Sequence, residues 1–175
     1  AMCQYSCDPV TAPGVPNDWH LVHLGSRAVG GAGLVVTEAV AVTADGRITA
    51  EDLGLWEDAQ IAPLQRITRF ITAQGSIPGI QLAHAGRKAS TYRPWLGKHG
   101  SVTLEEGGWQ PVGPSKIAFD PEHTVPSELT HAQIQDVVQA FVASARRALD
   151  AGFKVVEVHA AHGYLLHQFL SPLSN

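Results

Sequence analysis

Charge is scarce in this chain: Asp, Glu, Lys and Arg together make up 16% of its 175 residues, against a usual share of roughly 25%. That shortage excludes a disordered chain, a coiled coil or a solvated charged helix. The twelve basic residues are outnumbered by sixteen acidic ones, for a net charge of −4. No basic footprint for nucleic acid or an anionic membrane is present. No apolar run approaches the ~20 residues of a membrane span. The opening residues, Ala1 to Ser6, lack the basic and apolar regions of a signal peptide. Cysteine is nearly absent. Cys3 and Cys7 stand four apart, which is neither a zinc framework nor a secreted disulfide scaffold, and they read as reduced thiols of a cytoplasmic protein.

Apolar residues make up 45%, with 17 glycines and 11 prolines, a balance suited to a loop-rich α/β domain. Strand and helix patterns alternate. The run Gly33 to Ala39 is short, apolar and β-branched, as is Phe153 to His159, and Ile77 to His84 is a third candidate. Continuous apolar character is what a parallel strand covered on both faces requires. Between them, Ile61, Leu64, Ile67 and Ile71 recur at helical spacing from Asp58 to Gln74, with Gly75 as terminator. Thr130 with Gln133 forms a capping box for a helix reaching Ala151, striped by Ile134, Val137, Val138, Phe141, Val142 and Ala145 and stopped by Gly152. A shorter helix is expected from Asp18 as N-cap, through His20 and His23, to Gly30. The order predicts a parallel sheet with helical crossovers. Residues from about Ala89 to Glu128 break the rhythm. They are rich in Gly, Pro and Trp without a sustained period, which reads as a lid or subdomain.

Chemically capable side chains gather where strands end: Cys3 and Tyr5, then Glu38 and Ala39, then Gln81 and His84, then His159, His162 and Tyr164. In parallel α/β barrels that face carries the active site. The segment His159-Ala160-Ala161-His162-Gly163-Tyr164 is the most specific. Two imidazoles can aim N–H donors at one oxygen, as an oxyanion hole does, and a phenol suits proton donation to a carbanion-like centre. Gly30-Gly31-Ala32-Gly33 precedes a strand instead of following one, so it is no dinucleotide fingerprint.

Met2-Cys3-Gln4-Tyr5-Ser6, Asp18-Trp19-His20-Leu21-Val22-His23, Arg27 to Leu34, Gly46-Arg47-Ile48, Gln81-Leu82-Ala83-His84-Ala85-Gly86-Arg87-Lys88 and His159 to Leu165 together resemble the Old Yellow Enzyme family, in its bacterial, thermophilic-like branch. The resemblance runs in order along nearly the whole chain. It implies an FMN-dependent (β/α)₈ TIM barrel in which NAD(P)H reduces the flavin and an α,β-unsaturated carbonyl compound is then reduced at its C=C bond. By motif position, His159 and His162 hold the substrate's carbonyl oxygen and Tyr164 donates the proton. Tyr5 lines the substrate pocket, Gln81 bonds the pyrimidine edge of the flavin, Met2 and Ala39 contact it, and Cys3 lies beside it. The resemblance also implies a homo-oligomer (dimer or tetramer) and makes residues 89–128 a capping insertion.

Ala1 stands where this branch carries proline, and Cys7 to Pro16 is longer than usual. Length is the larger departure. Such a barrel needs ~250 residues, whereas this chain reads as the end of strand 1 through strand 4 plus the insertion. Two other readings stand beside the flavin enzyme: a non-catalytic half-barrel that needs a complementary half, and a hydrolase with a metal held by His84, His159 and His162.

Overall fold

The computed structural model describes residues 5–175. Its main sheet is parallel, in the order β1-β2-β5, formed by β1 (Leu34–Ala41), β2 (Ile77–Ala83) and β5 (Val155–Val158). Helices α1 (Asp18–Val29), α2 (Ile61–Ala73) and α3 (His131–Asp150) precede these strands in turn, and the short α4 (Leu165–Leu170) follows β5. The three apolar runs are therefore the three strands. The expected first-strand position falls on Met2 and Cys3, outside the described residues, and on Tyr5. Among the described residues the sheet thus has three strands where four strand positions were expected.

The N-terminal cap of α1 is a correction. Asn17, not Asp18, is the N-cap. Its side chain accepts from the Trp19 N–H, while His20 Nδ1 accepts from the Asn17 N–H at 3.1 Å. A carboxamide and an imidazole three residues apart close the reciprocal pair that a capping box requires, and Asp18 becomes the first helical residue. Thr130 and Gln133 form the expected capping box on α3.

The three helices that precede strands, α1, α2 and α3, end in the same way. The N–H groups of Gly75 and Ser76 return to the carbonyls of Thr72 and Ile71, and those of Gly152 and Phe153 to Leu149 and Ala148. These are Schellman motifs. Gly152 takes φ +90, open to glycine at little steric cost. The end of α1 repeats the pattern through Gly31 and Ala32, one residue beyond the expected stop at Gly30. Each motif reverses the chain directly into the next strand.

The core lies between the sheet and the helices. Val35, Val40 and Val42 join Ile80, Leu82, Leu64, Ile67, Ile71 and Phe153. Val35 and Val40 differ in parity because the β1–β2 register shifts between Val36 and Ala39. At that bulge the Thr37 hydroxyl accepts from the Gln81 N–H at 3.1 Å, replacing a ladder bond. Polar bonds tie α3 to its neighbours as well: Thr68 Oγ1 of α2 donates to the Ala151 carbonyl just past the end of α3, and Ser144 Oγ of α3 donates to the Leu55 carbonyl. The stripe on α3 is covered toward its C-terminal half, where Ser144 and Ala148 are buried, whereas Val138 and Val142 remain exposed.

Residues 89–128 hold a 3-10 turn at Leu104–Glu106 and a two-residue parallel ladder between β3 (Val112–Gly113) and β4 (Ser127–Glu128). Among the described residues, no helix is long and apolar enough to cross a membrane.

Candidate functional site

Ala39, Gln81 and Glu157 form one row across β1, β2 and β5, each in register with the next. Side chains alternate between faces of a strand, so the row faces away from the helix-packed core to which Val40, Ile80, Leu82 and Val156 contribute. The Gln81 amide donates to Glu157 Oε1 at 2.9 Å. Ala41 and Ala83 continue this face as small side chains, and the His159 N–H extends the ladder by donating to the Leu82 carbonyl at 2.9 Å.

After β5 the chain turns sharply. His162 takes φ +58 and Gly163 φ +76, and a left-handed conformation is uncommon for a residue with a side chain. The turn packs three rings together. His159 lies edge-on to His162 at 5.1 Å and to Tyr164 at 5.2 Å between ring centroids. His159 is buried; burial, then the neighbouring His162, lower its pKa, with Glu157 opposing. A neutral imidazole near pH 7 keeps one N–H to donate. Burial raises the Tyr164 phenol above its ordinary value, and the charge of Asp52 adds to the effect. Tyr164 and Asp52 line one recess with Ala39, Ala41, Ala83 and Ala85. The phenol therefore carries its proton at neutral pH.

Gln168 of α4 locks the turn. Its Nε2 donates to the Gly163 carbonyl at 2.8 Å and to the Ala85 carbonyl at 3.2 Å, and its Oε1 accepts from the Arg87 N–H. This close approach requires Gly86, where an added Cβ would lie 2.4 Å from the Gln168 amide. The Gly163 N–H donates to His167 Nδ1 at 2.8 Å.

The structure thus brings His159, His162 and Tyr164 together, and sets Ala39 and Gln81 in one row. Met2 and Cys3 lie outside the described residues. Tyr5 is buried edge-on against Trp95, at 5.7 Å. Two expected strand-end groups go elsewhere. Glu38 sits at the β1 bulge and pairs with His23 of α1 at 3.4 Å. His84 lines a cleft with Thr43, Asp45, Leu129 and Gln133, and burial lowers its pKa to about 4. Strand alternation puts it on the face opposite Gln81 and Ala83. Among the described residues no three His, Cys, Asp or Glu side chains cluster as metal ligands, so His84 does not join His159 and His162 in a three-histidine site.

Sequence reasoning passed over Asp52 and Lys88. Asp52 is fully buried and accepts from the Ile48 and Thr49 N–H groups and the Thr49 hydroxyl. Lys88 reaches the His162–Tyr164 turn. A lone acidic or basic residue between motifs gives no periodic signal, although Lys88 closes the Gln81–Lys88 motif.

The whole chain, residues 1–175, matches the model of the NADH:flavin oxidoreductase / NADH oxidase family. It is 51% identical over 177 residues to NADH:flavin oxidoreductase FG08077 of Gibberella zeae, covering 99% of this chain and 42% of that protein. It is 44% identical over 174 residues to an NADPH dehydrogenase of Geobacillus sp. (strain WCH70), covering 99% of this chain and 46% of that one. Among solved structures, morphinone reductase superposes with a TM-score of 0.81 at 28% identity, covering 99% of this chain and 46% of its own. A 2-naphthoyl-CoA reductase complex gives 0.83 at 28%, covering 97% and 25%. The chain spans less than half the length of these relatives.

Proposed function

The chain belongs to the NADH:flavin oxidoreductase / NADH oxidase family, and from that premise we propose that it forms the substrate-facing arc of an FMN-dependent enzyme that reduces the C=C bond of α,β-unsaturated carbonyl compounds. Its fold is an arc of a (β/α)₈ barrel, FMN is the family's flavin and a nicotinamide its reductant. The observation that carries the reading is the packing of His159, His162 and Tyr164 around one turn at a strand end.

The residues present fit a flavin. Gln81 offers a carboxamide that can both donate and accept, the chemistry that a pyrimidine edge demands. Ala39 beside it in the row is small enough to admit a flat ring. Gln81 and Ala39 would hold the group from this chain, with Met2 and Cys3 as further contacts implied by the motif. FMN, when bound, supplies a hydride to the β-carbon of the substrate.

The protein side chains manage the oxygen and the proton. His159 and His162 direct N–H groups at the substrate's carbonyl oxygen, where negative charge grows as the alkene is reduced. Two fixed donors at one oxygen stabilise that charge more in the transition state than in the ground state. Tyr164 holds a proton for the α-carbon, and burial keeps that proton in place until the carbon becomes basic. Tyr5, edge-on to Trp95, lines the substrate pocket, and residues 89–128 cap it.

The test is a purification of the full-length protein, with flavin identified by absorbance and release, followed by turnover of 2-cyclohexenone with NADPH and NADH. Recovery of FAD, of a metal or of no cofactor contradicts the proposal.

A further inference from the structure

Three parts of the chain meet at the ammonium of Lys88. Its Nζ donates to the His162 carbonyl at 3.2 Å, and lies 4.9 Å from the ring centre of Tyr164 and 4.6 Å from that of Phe119. The same 3-10 turn, Gly86–Lys88, grips the segment that carries Phe119. Arg87 Nη1 donates to the Ile117 and Ala118 carbonyls, both at 3.2 Å, and its guanidinium lies 5.8 Å over the Phe119 ring. Residues 117–119 are thus bound to the turn that also holds the loop after β5.

The carbonyl that Lys88 bonds belongs to the residue at φ +58. Such a conformation persists where the surroundings over-determine it. Lys88 supplies a charge-assisted bond to that carbonyl and a cation over the next aromatic ring. The Lys88 side chain is half-buried, with its bond to the His162 carbonyl at the surface.

We propose that Lys88 is a positioning residue for the His162–Tyr164 turn, and that Phe119 couples the 89–128 segment to the turn through the Lys88 ammonium. The proposal rests on the reading of His159, His162 and Tyr164 as substrate-facing groups.

The test uses the full-length, FMN-loaded protein and two variants, Lys88→Met and Lys88→Arg. Lys88→Met is expected to weaken 4-hydroxybenzaldehyde, read from its long-wavelength band with the flavin, and to slow flavin reoxidation by 2-cyclohexenone, each by about tenfold. Flavin content and reduction by NADPH stay near wild type, and Lys88→Arg recovers most of both losses. Phe119→Leu gives a smaller loss of the same kind and adds little to Lys88→Met, as partners in one contact do. Unchanged phenol affinity in Lys88→Met overturns the proposal, as does equal damage in Lys88→Met and Lys88→Arg with loss of flavin. Should Lys88→Met fail to fold, Phe119→Leu decides by the same phenol titration.

A second readout separates this proposal from the function beneath it. In fluorotyrosine-labelled apoprotein, the resonance that Tyr164→Phe removes is expected to shift in Lys88→Met or, if that variant does not fold, in Phe119→Leu. It holds its place in Lys88→Arg. A wild-type protein with no phenol band, yet with this shift, overturns the substrate-facing reading and supports the positioning role. A resonance that never moves counts against Lys88 itself.

Discussion

Gln81 and Glu157 stand directly opposite each other on β2 and β5, and the amide nitrogen of Gln81 donates to the Glu157 carboxylate at 2.9 Å. A carboxylate only accepts, so the bond fixes which end of the carboxamide is nitrogen. A residue proposed to read a flavin edge is therefore pre-oriented by its neighbour.

Gln81→Ala should weaken FMN binding to the full-length protein by about 1–3 kcal/mol, the cost of leaving a partner unsatisfied. Glu157→Gln should weaken it less, because the amide stays and loses only its orientation. Titration of apoprotein with FMN checks both, and equal affinity in Gln81→Ala and wild type would remove Gln81 from the site.

His159→Ala and His162→Ala should each abolish most of the affinity for phenols, and the double variant should lose little more. Two donors serving one oxygen are coupled, so their effects do not add. The measurement is a double-mutant cycle on phenol affinity with flavin content held as the control. Strict additivity would place the two rings on different ligand atoms.

Tyr164→Phe should slow reoxidation of the flavin by 2-cyclohexenone while sparing reduction by NADPH, because the alkene half-reaction alone needs a proton at the α-carbon. The loss should shrink with maleimides, whose anionic product collects a proton from water. Stopped-flow traces of the two half-reactions separate these cases, and an equal effect on both rules out the phenol as donor.

Buried Asp52 and His84 should give opposing pH dependences of stability. Burial raises Asp52 to about 7, against its hydrogen bonds and the charge of Arg47. Its folded form holds a proton that the unfolded chain releases near 3.9, so this contribution is present at low pH and is lost as pH rises toward 7. Burial lowers His84 to about 4, so the unfolded chain takes up the proton first, below about 6.5, and that contribution is lost as pH falls. Asp52→Asn should leave the histidine slope alone, with stability climbing by up to about 1.4 kcal/mol per pH unit between roughly 4.5 and 6. Denaturant midpoints of the full-length protein across that range provide the check. Identical slopes in variant and wild type would contradict the assignment.

The 175-residue chain taken by itself should be colourless and self-associating. Val158 on β5 is 54% exposed and Val138 on α3 45% exposed, and an apolar groove runs between α3 and α4, lined by Leu129, Ile134, Val138, Leu165 and Phe169. Sheet edges and apolar patches of that kind recruit other chains. Flavin content and sedimentation decide, and a yellow, monomeric, enone-reducing preparation would refute this.

What the sequence disclosed followed from repetition and what it concealed followed from parity. The strands around Val35, Ile80 and Val156 announced themselves as apolar runs, and Gly75 and Gly152 marked helix ends, because each signal spans several residues. His159, His162 and Tyr164 were legible as a cluster because six consecutive residues carry them. Glu38 and His84 were misplaced at the strand-end face. A one-residue bulge redirects the first, and strict alternation turns the second toward α3; neither leaves a trace in composition. Asp52 and Lys88 became visible only when the fold brought Asp52 into one recess with Tyr164 and Lys88 to one turn with His162 and Phe119.

The repeated helix-to-strand turns at Gly31, Gly75 and Gly152 lie at the rim opposite His159 and Tyr164. Each is a self-contained backbone device that requires no side chain from the end that carries His159 and Tyr164. On the proposed function, thermal robustness and selectivity become separable traits: one rim would accumulate substitutions that alter how firmly the chain folds, while the other would diversify the molecules accepted.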